Sequence, residues 1–259
     1  MCWSYEVSLK FSALFLVMNS YYIWKKPIYW REYLLFGMFY FMMEAFQTLQ
    51  WLYGQVPKYD LNQSNGIFEC STTNTNYTMF AHLLIWSQPL LFSYIGYRTS
   101  RNYKSIAKIM CIICGVVLFY SWFMLEAGLF KNNYFLVNDS SFGVSTCTNV
   151  GRTGHLVWKF KPLNIDYFPN YLTYIILCLI SFSLYETPGI QIIAIGWITS
   201  MLITLIWMQP SITEMASSWC LLSIVGNLMI FAHLHLNFPR FSFSFSPRAA
   251  RPKLETETD

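Results

Sequence analysis

Tyr33–Val56 reads YLLFGMFYFMMEAFQTLQWLYGQV, and its interpretation decides the fold. The run is long and apolar enough to cross a bilayer as a helix. It nevertheless carries Glu44, Gln47, Thr48, Trp51 and Gln55. Steps of three and four residues stack these five side chains on one helical face. Lipid does not solvate a carboxylate, so that face must turn towards protein or water. The opposite face, with Leu34, Phe41, Ala45, Leu49 and Leu52, suits lipid or other helices. The stretch predicts a helix bundle with a polar interior.

Composition points the same way. Of 259 residues, 55% are apolar and only 12% charged, where soluble domains carry about 25% charged residues. The balance predicts a multi-pass membrane protein. The net charge of +4 comes from basic residues clustered between apolar runs, which argues against a nucleic-acid partner. No phosphate loop, dinucleotide fingerprint or nucleophile elbow occurs, and no cofactor is expected.

Six further apolar runs, at residues 5–24, 78–97, 107–130, 167–185, 189–208 and 214–236, complete the pattern. The expected fold is all-α, an integral membrane bundle of seven transmembrane helices over residues 1–237, with a flexible tail at 238–259. In the first span Glu6 and Lys10 have the spacing of a helical ion pair. One side of the membrane receives Lys25, Lys26, Arg31, Arg98, Arg101, Lys104, Lys108 and the four basic residues of the tail; the other receives Lys58, Lys131, Arg152, Lys159 and Lys161. This asymmetry predicts an outside N-terminus and a cytosolic C-terminus. The glycosylation sequons at Asn62, Asn76 and Asn138 all fall on the expected outer side. Cys70 and Cys147 are the only cysteines of the two outer loops, residues 57–76 and 131–166. They either form a disulfide in an oxidising compartment or remain two thiols. Cys111 and Cys114, one helical turn apart inside a span, read as packing. The tail alternates Phe and Ser at 241–246; it is either a disordered segment or one that lies on the anionic inner leaflet.

The ionisable groups of the spans favour the outer half. Glu44 lies near mid-depth, and His82 enters the third span at the level of Gln47 or Trp51. Glu126 and Glu214 sit near the boundary. Pro89 removes a backbone hydrogen bond and frees the carbonyl of Ile85, with Gln88 at the kink. These residues predict a solute or ion site built from Glu44, Gln47, Trp51, His82 and Gln88. The alternative is a polar network that fixes helix packing, with Glu44 neutral or paired with Lys10. His233 and His235 fall on different helix faces, and Glu44 with His82 supplies too few ligands for zinc, so no metal site is expected. Ile85-Trp-Ser-Gln-Pro89 resembles Ile206-Trp-Met-Gln-Pro210 in an antiparallel span, which is either coincidence or the trace of an inverted repeat.

The opening Met1-Cys2-Trp3-Ser4 with Ser8, followed by Glu44-x-x-Gln47-x-x-x-Trp51, resembles a poorly characterised multi-pass family whose members begin Met-Cys-aromatic-Ser. That family occurs in bacteria and in large DNA viruses of algae and protists. The resemblance implies a small integral membrane protein of viral type and no particular activity. If Met1 is removed, Cys2 presents a thiol beside an amine, open to acylation; otherwise it is an ordinary terminal thiol.

Three function classes remain. The favoured one is a transporter or channel that moves a small solute or ion past Glu44. The others are a receptor-like or scaffold protein and an intramembrane enzyme using Glu44 and His82. Tyr97-Arg98-Thr99 departs from the Asp/Glu-Arg-Tyr pattern, and the seventh span has no lysine for retinal. The expected partners are the lipid bilayer and an unidentified solute or ion, with self-association open. The plasma membrane, an endomembrane or a viral envelope would each suit such a chain.

Overall fold

A computed structural model describes residues 4–57, 67–126, 134–136, 146–151, 154–159, 168–207 and 212–236. In chain order the elements are α1 (Tyr5–Lys25), α2 (Trp30–Tyr53), β1 (Ile67–Glu69), α3 (Thr72–Thr99), α4 (Lys104–Glu126), β2 (Tyr134–Leu136), β3 (Cys147–Val150), β4 (Leu156–Lys159), α5 (Tyr171–Ser183), α6 (Pro188–Trp207) and α7 (Ile212–Leu236). The fold is all-α, decorated by two antiparallel ribbons, β1 with β2 and β3 with β4.

Local chemistry sets where the helices begin. Ser4, Ser71 and Asn170 each accept a hydrogen bond from the backbone N–H three residues on, and so cap α1, α3 and α5. The Ser71 cap starts α3 at Thr72, six residues before the apolar run. Gly54 closes α2, and Gln55 follows it at φ 49°, exposed to solvent. Gln55 therefore does not join the polar stripe expected for it, which ends at Trp51. The fifth apolar run yields only the 13-residue α5.

The helices pack as sequence neighbours: α1 with α2, α3 with α4, and α6 with α7, while α5 lies against α3. At one end the turns are laced together. Arg101 N and Asn102 N donate to Glu186 at 2.6 and 3.0 Å, so the turn after α5 caps the start of α4. The Tyr33 hydroxyl donates to Gly189 O at 2.8 Å, and that of Tyr185 to Phe92 O at 3.1 Å. Arg98 meets Glu32 at 3.5 Å. Among the described residues this is the ion pair that forms, whereas Glu6 and Lys10 occupy the exposed face of α1.

The core is hydrophobic, yet several helices also turn apolar side chains outward. On α4 the buried face reads Ala107, Met110, Cys114, Val117, Ser121. The exposed face carries Ile106, Ile109, Ile113, Val116, Phe119 and Phe123. Meanwhile Ser8, Asn19, Glu44, Gln47, His82 and Asn227 are buried. Two helical stretches, Lys104–Met124 and Pro188–Ile206, are long and apolar enough to cross a membrane by length and composition alone. Tyr171–Ser183 and Ile224–His235 are apolar but shorter. The proposed tail at 238–259, Cys2, and the side chains of Glu126 and Glu214 lie outside the described residues.

Helices α6 and α7 touch backbone to backbone. A Cβ on Gly196 would fall 2.5 Å from Gly226 Cα, whereas one on Gly226 would meet nothing closer than 3.5 Å. Gly196→Ala should therefore lower stability by about 1–3 kcal/mol through overpacking. Gly226→Ala should be neutral or raise it by up to about 1 kcal/mol through helix propensity. Thermal melts of the two variants in detergent check the asymmetry; equal shifts would refute the close approach.

Candidate functional site

The candidate site lies on the seam between α1 and α2. On α1 the residues Ser8, Ser12, Phe15, Asn19 and Tyr22, spaced by four, three, four and three, form one buried face. The facing surface of α2 carries Tyr33, Gly37, Tyr40, Glu44, Gln47 and Trp51. The helices run antiparallel, with Tyr22 against Tyr33 at 5.8 Å between ring centroids and Phe15 against Tyr40 at 6.2 Å. Asn19 lies over Gly37, where an added Cβ would fall 2.2 Å from Asn19 Oδ1. Only glycine leaves room for that amide.

Continuing the register brings Glu44 opposite Ser8 and Ser12. Glu44 is 0% exposed. The Ser8 hydroxyl interacts with its carboxyl, but neither carboxyl oxygen meets the geometry of a direct hydrogen bond. The Ser12 hydroxyl donates to Ser8 O at 2.9 Å and that of Thr48 to Glu44 O at 2.9 Å, so both are used on backbone. Lys10 is on the exposed face, so the Glu44–Lys10 pair considered as an alternative does not form. A dry Glu44 therefore needs a proton, or a cation from outside the described residues.

The remaining predicted site residues are distributed around the bundle. Gln47 is buried one turn from Glu44, and the Trp51 indole N–H is buried with no acceptor. His82 is buried, but its Nε2 is hydrogen-bonded to Ser121 Oγ on α4, and its ring packs on Trp86 at 6.1 Å. Glu44 turns to α1 and His82 to α4, so the two do not form the acid–base pair an enzyme would need. Gln88 Oε1 accepts from the Tyr174 hydroxyl at 2.6 Å, which ties the Pro89 region of α3 to α5. Of the second Trp-x-Gln-Pro string, Gln209 and Pro210 lie outside the described residues. No three His, Cys, Asp or Glu converge among the described residues.

Sequence reasoning missed the cap above this site. Cys70 and Cys147 form a disulfide that ties β3 to the start of α3. Asn74 clamps Thr148 twice, donating from Nδ2 to its O and accepting from its N, both at 2.8 Å. Gln50 donates to Thr148 Oγ1 at 2.8 Å and accepts from Trp158 Nε1 at 2.9 Å. The β3–β4 ribbon thus sits on the ends of α2 and α3. Four-residue strands inside a polar loop leave no periodic trace, so the sequence offered only the two cysteines. Asn76 is exposed in the second turn of α3, but the hydroxyl of Thr78 in its sequon is buried and donates to Asn74 O at 2.8 Å. Asn62 and Asn138 lie outside the described residues.

This all-α chain with a carboxyl sealed between its first two helices belongs to a family of unknown function. Residues 6–238 match the family described as "Family of unknown function (DUF5765)", which spans all seven helices and begins after the Met-Cys-Trp-Ser opening. The chain is 50% identical over 237 residues to "Uncharacterized protein R287" of Acanthamoeba polyphaga mimivirus, covering 92% of this chain and 97% of that protein. The expected kinship with an uncharacterised family of large DNA viruses is thereby established. No solved structure matches.

The cap carries a titratable group. His155, buried in the ribbon's turn, accepts from Gly151 N at its carbonyl at 2.7 Å. Burial holds its imidazole from the usual 6.5 down to about 3. Because the folded value is the lower one, the cap is fully stable above about pH 6.5 and loses stability as pH falls towards 3. His155 should therefore contribute a fall in melting temperature between about pH 6.5 and 5. His155→Gln should flatten that fall; an unchanged profile would exclude His155 as its origin.

Proposed function

We propose that this chain is a seven-span integral membrane protein, N-terminus outside, that moves a small solute or ion past Glu44. The observation that carries this reading is a carboxyl with no exposure that has, among the described residues, only the Ser8 hydroxyl beside it and no counter-cation, held inside a bundle whose outer faces are apolar. Intramembrane carboxylates are costly and persist where they serve binding or transfer. Exposed apolar rows on α1, α2, α4 and α6 suit lipid, and the buried polar groups suit a bundle interior. Exposed Lys25, Lys26, Arg31, Arg101 and Lys104 gather at the end with the laced turns, while the disulfide lies at the other end. That polarity agrees with a cytosolic basic end and an oxidising outer end. The conformation is occluded, since no part of Glu44 reaches solvent.

A receptor-like or scaffold role is the second reading, favoured by the disulfide-tied cap, which offers a rigid outer surface to a partner. The enzymatic reading loses ground because Glu44 and His82 face different helices.

Full-length protein in liposomes provides the test, with fluorescent indicators for H⁺, Na⁺, K⁺ and Cl⁻. Wild type should carry at least one of these faster than empty vesicles, and Glu44→Gln should return that flux to background. Flux in Glu44→Gln equal to wild type, or no flux of any of the four in wild type, would overturn the assignment in favour of the receptor-like reading.

A further inference from the structure

We propose that the α1–α2 seam is a proton path in which Glu44 is the carrier and Asn19 and Tyr22 are relay stations towards the basic end. The proposal rests on the transport reading above and adds both the cargo and the route.

Buried polar side chains in this bundle fall into two kinds. Along the other seams they satisfy one another. His82 bonds Ser121, Ser93 bonds Ser181 at 2.7 Å, Tyr174 bonds Gln88, and Trp219 Nε1 donates to Ser200 at 2.9 Å. Such pairs are packing devices. The α1–α2 seam is different. Both Asn19 amide atoms, the Tyr22 hydroxyl and the Trp51 indole N–H are buried with no hydrogen-bond partner among the described residues, and the Glu44 oxygens have only the Ser8 hydroxyl nearby. All four residues lie on the facing surfaces of the same two helices. Elsewhere among the described residues such groups are scattered, as at Asn149, Thr187 and Trp197. A row of unmet donors and acceptors destabilises a dry seam and suits one that exchanges hydrogen bonds with water.

Spacing selects the cargo. Glu44 and Gly37, the residue under Asn19, are seven positions apart, which is about 10 Å along the helix; Asn19 and Tyr22 are about 5 Å apart. A metal ion needs its oxygen ligands together at about 2–2.6 Å, which this string does not provide. An organic solute needs room, yet Glu44 has no exposure and Asn19 packs onto Gly37. A proton needs only carboxyl, amide and hydroxyl groups bridged by single waters. A hydronium on the outer side, where Trp51 lies, gives its proton to a Glu44 carboxylate oxygen and becomes water. The acid then returns that proton to a water on the Asn19 side and is a carboxylate again. That water becomes hydronium and passes a proton on through waters held by Asn19 and Tyr22 to the basic end, one O–H bond breaking as each next one forms. The Phe15–Tyr40 ring pair stands between Glu44 and Asn19 and closes the path in this conformation.

The test is proton flux into liposomes holding full-length protein and an internal pH dye, driven by a potassium gradient with valinomycin. Asn19→Leu and Tyr22→Phe should each slow the flux about tenfold or more, the effect of losing one transition-state hydrogen bond. Phe15→Ala should speed it severalfold. Because that change runs in the opposite direction, misfolding cannot imitate it. Ser93→Ala, in a satisfied seam, should leave the flux at the wild-type rate. Wild-type rates in Asn19→Leu and Tyr22→Phe, or no acceleration in Phe15→Ala, would overturn the route. Glu44-dependent flux of Na⁺, K⁺ or Cl⁻ without H⁺ flux would overturn the cargo yet leave the transport reading standing. No flux of any ion would remove both.

Discussion

A carboxyl group withdrawn from water, with only the Ser8 hydroxyl beside it among the described residues, sets the terms on which this bundle holds together. Placing Glu44 there constrains α2 in rotation. Half a turn would carry Glu44 to the outward side of Leu49 and Leu52, both exposed, and would bury those leucines against the small residues of α1. It also constrains α1, which must present little bulk at the level of the carboxyl. Ser8 and Ser12 meet that requirement, and one turn beyond them the aromatic Phe15 resumes the packing. Farther along, glycine at position 37 lets Asn19 approach the α2 backbone. Two small residues on one helix and one glycine on the other are the local conditions for this seam.

The rest of the bundle answers the same problem differently. A hydroxyl buried between helices is satisfied there by its own helix or by a neighbour. Ser181 donates to Leu177 O, and Thr204 donates to Ser200 O, both within one turn. Tyr185 and Tyr33 reach across to main-chain carbonyls on other elements. Around Trp197 the filling is aromatic: Trp219 at 4.3 Å, Phe182 at 5.0 Å and Phe92 at 6.2 Å between centroids, all edge-on. Edge-to-face pairs of this kind add to what burial alone contributes. The α3–α5–α6–α7 side is thus satisfied in most of its pairs, with the Trp197 indole N–H an exception, and the unmet polar atoms form a row where α1 and α2 meet.

The sequence carried some of this plainly. Apolar runs located the helices, and steps of three and four set Glu44, Gln47 and Trp51 on one face. Two cysteines alone in the outer loops left a disulfide or two thiols as alternatives, and the disulfide between Cys70 and Cys147 is the one that forms. It did not carry the identity of the neighbour. Periodicity says that His82 points inward; it does not say that the ring meets Ser121 rather than Glu44. Gln55 fitted the stripe by arithmetic, but Gly54 ends the helix first. The α1 stripe of Ser8, Ser12, Asn19 and Tyr22 was legible by the same arithmetic. It drew less notice than Glu44 because serine and tyrosine cost little in a span, whereas a carboxylate costs several kcal/mol. The ribbon cap depends on contacts between Gln50, Asn74 and Thr148, far apart in the chain, which no local pattern encodes.

The cap and the seam meet in α2. Gln50 lies six residues from Glu44, about 9 Å along the helix. Both ends of its amide are engaged by the ribbon, which the disulfide fastens to α3. Separating α2 from α3 at that end would strand a buried amide and its two partners, at about 1–3 kcal/mol for each group left unsatisfied. At the opposite end α2 is held by the Tyr33–Gly189 hydrogen bond and by the Glu32–Arg98 pair. Arg98 is exposed, so screening reduces that pair to about 0–1 kcal/mol. The restraints on α2 are therefore unequal, firm beneath the cap and slight near the basic turns. Any displacement that gives water access to Glu44 meets less resistance from the side where Asn19 and Tyr22 lie.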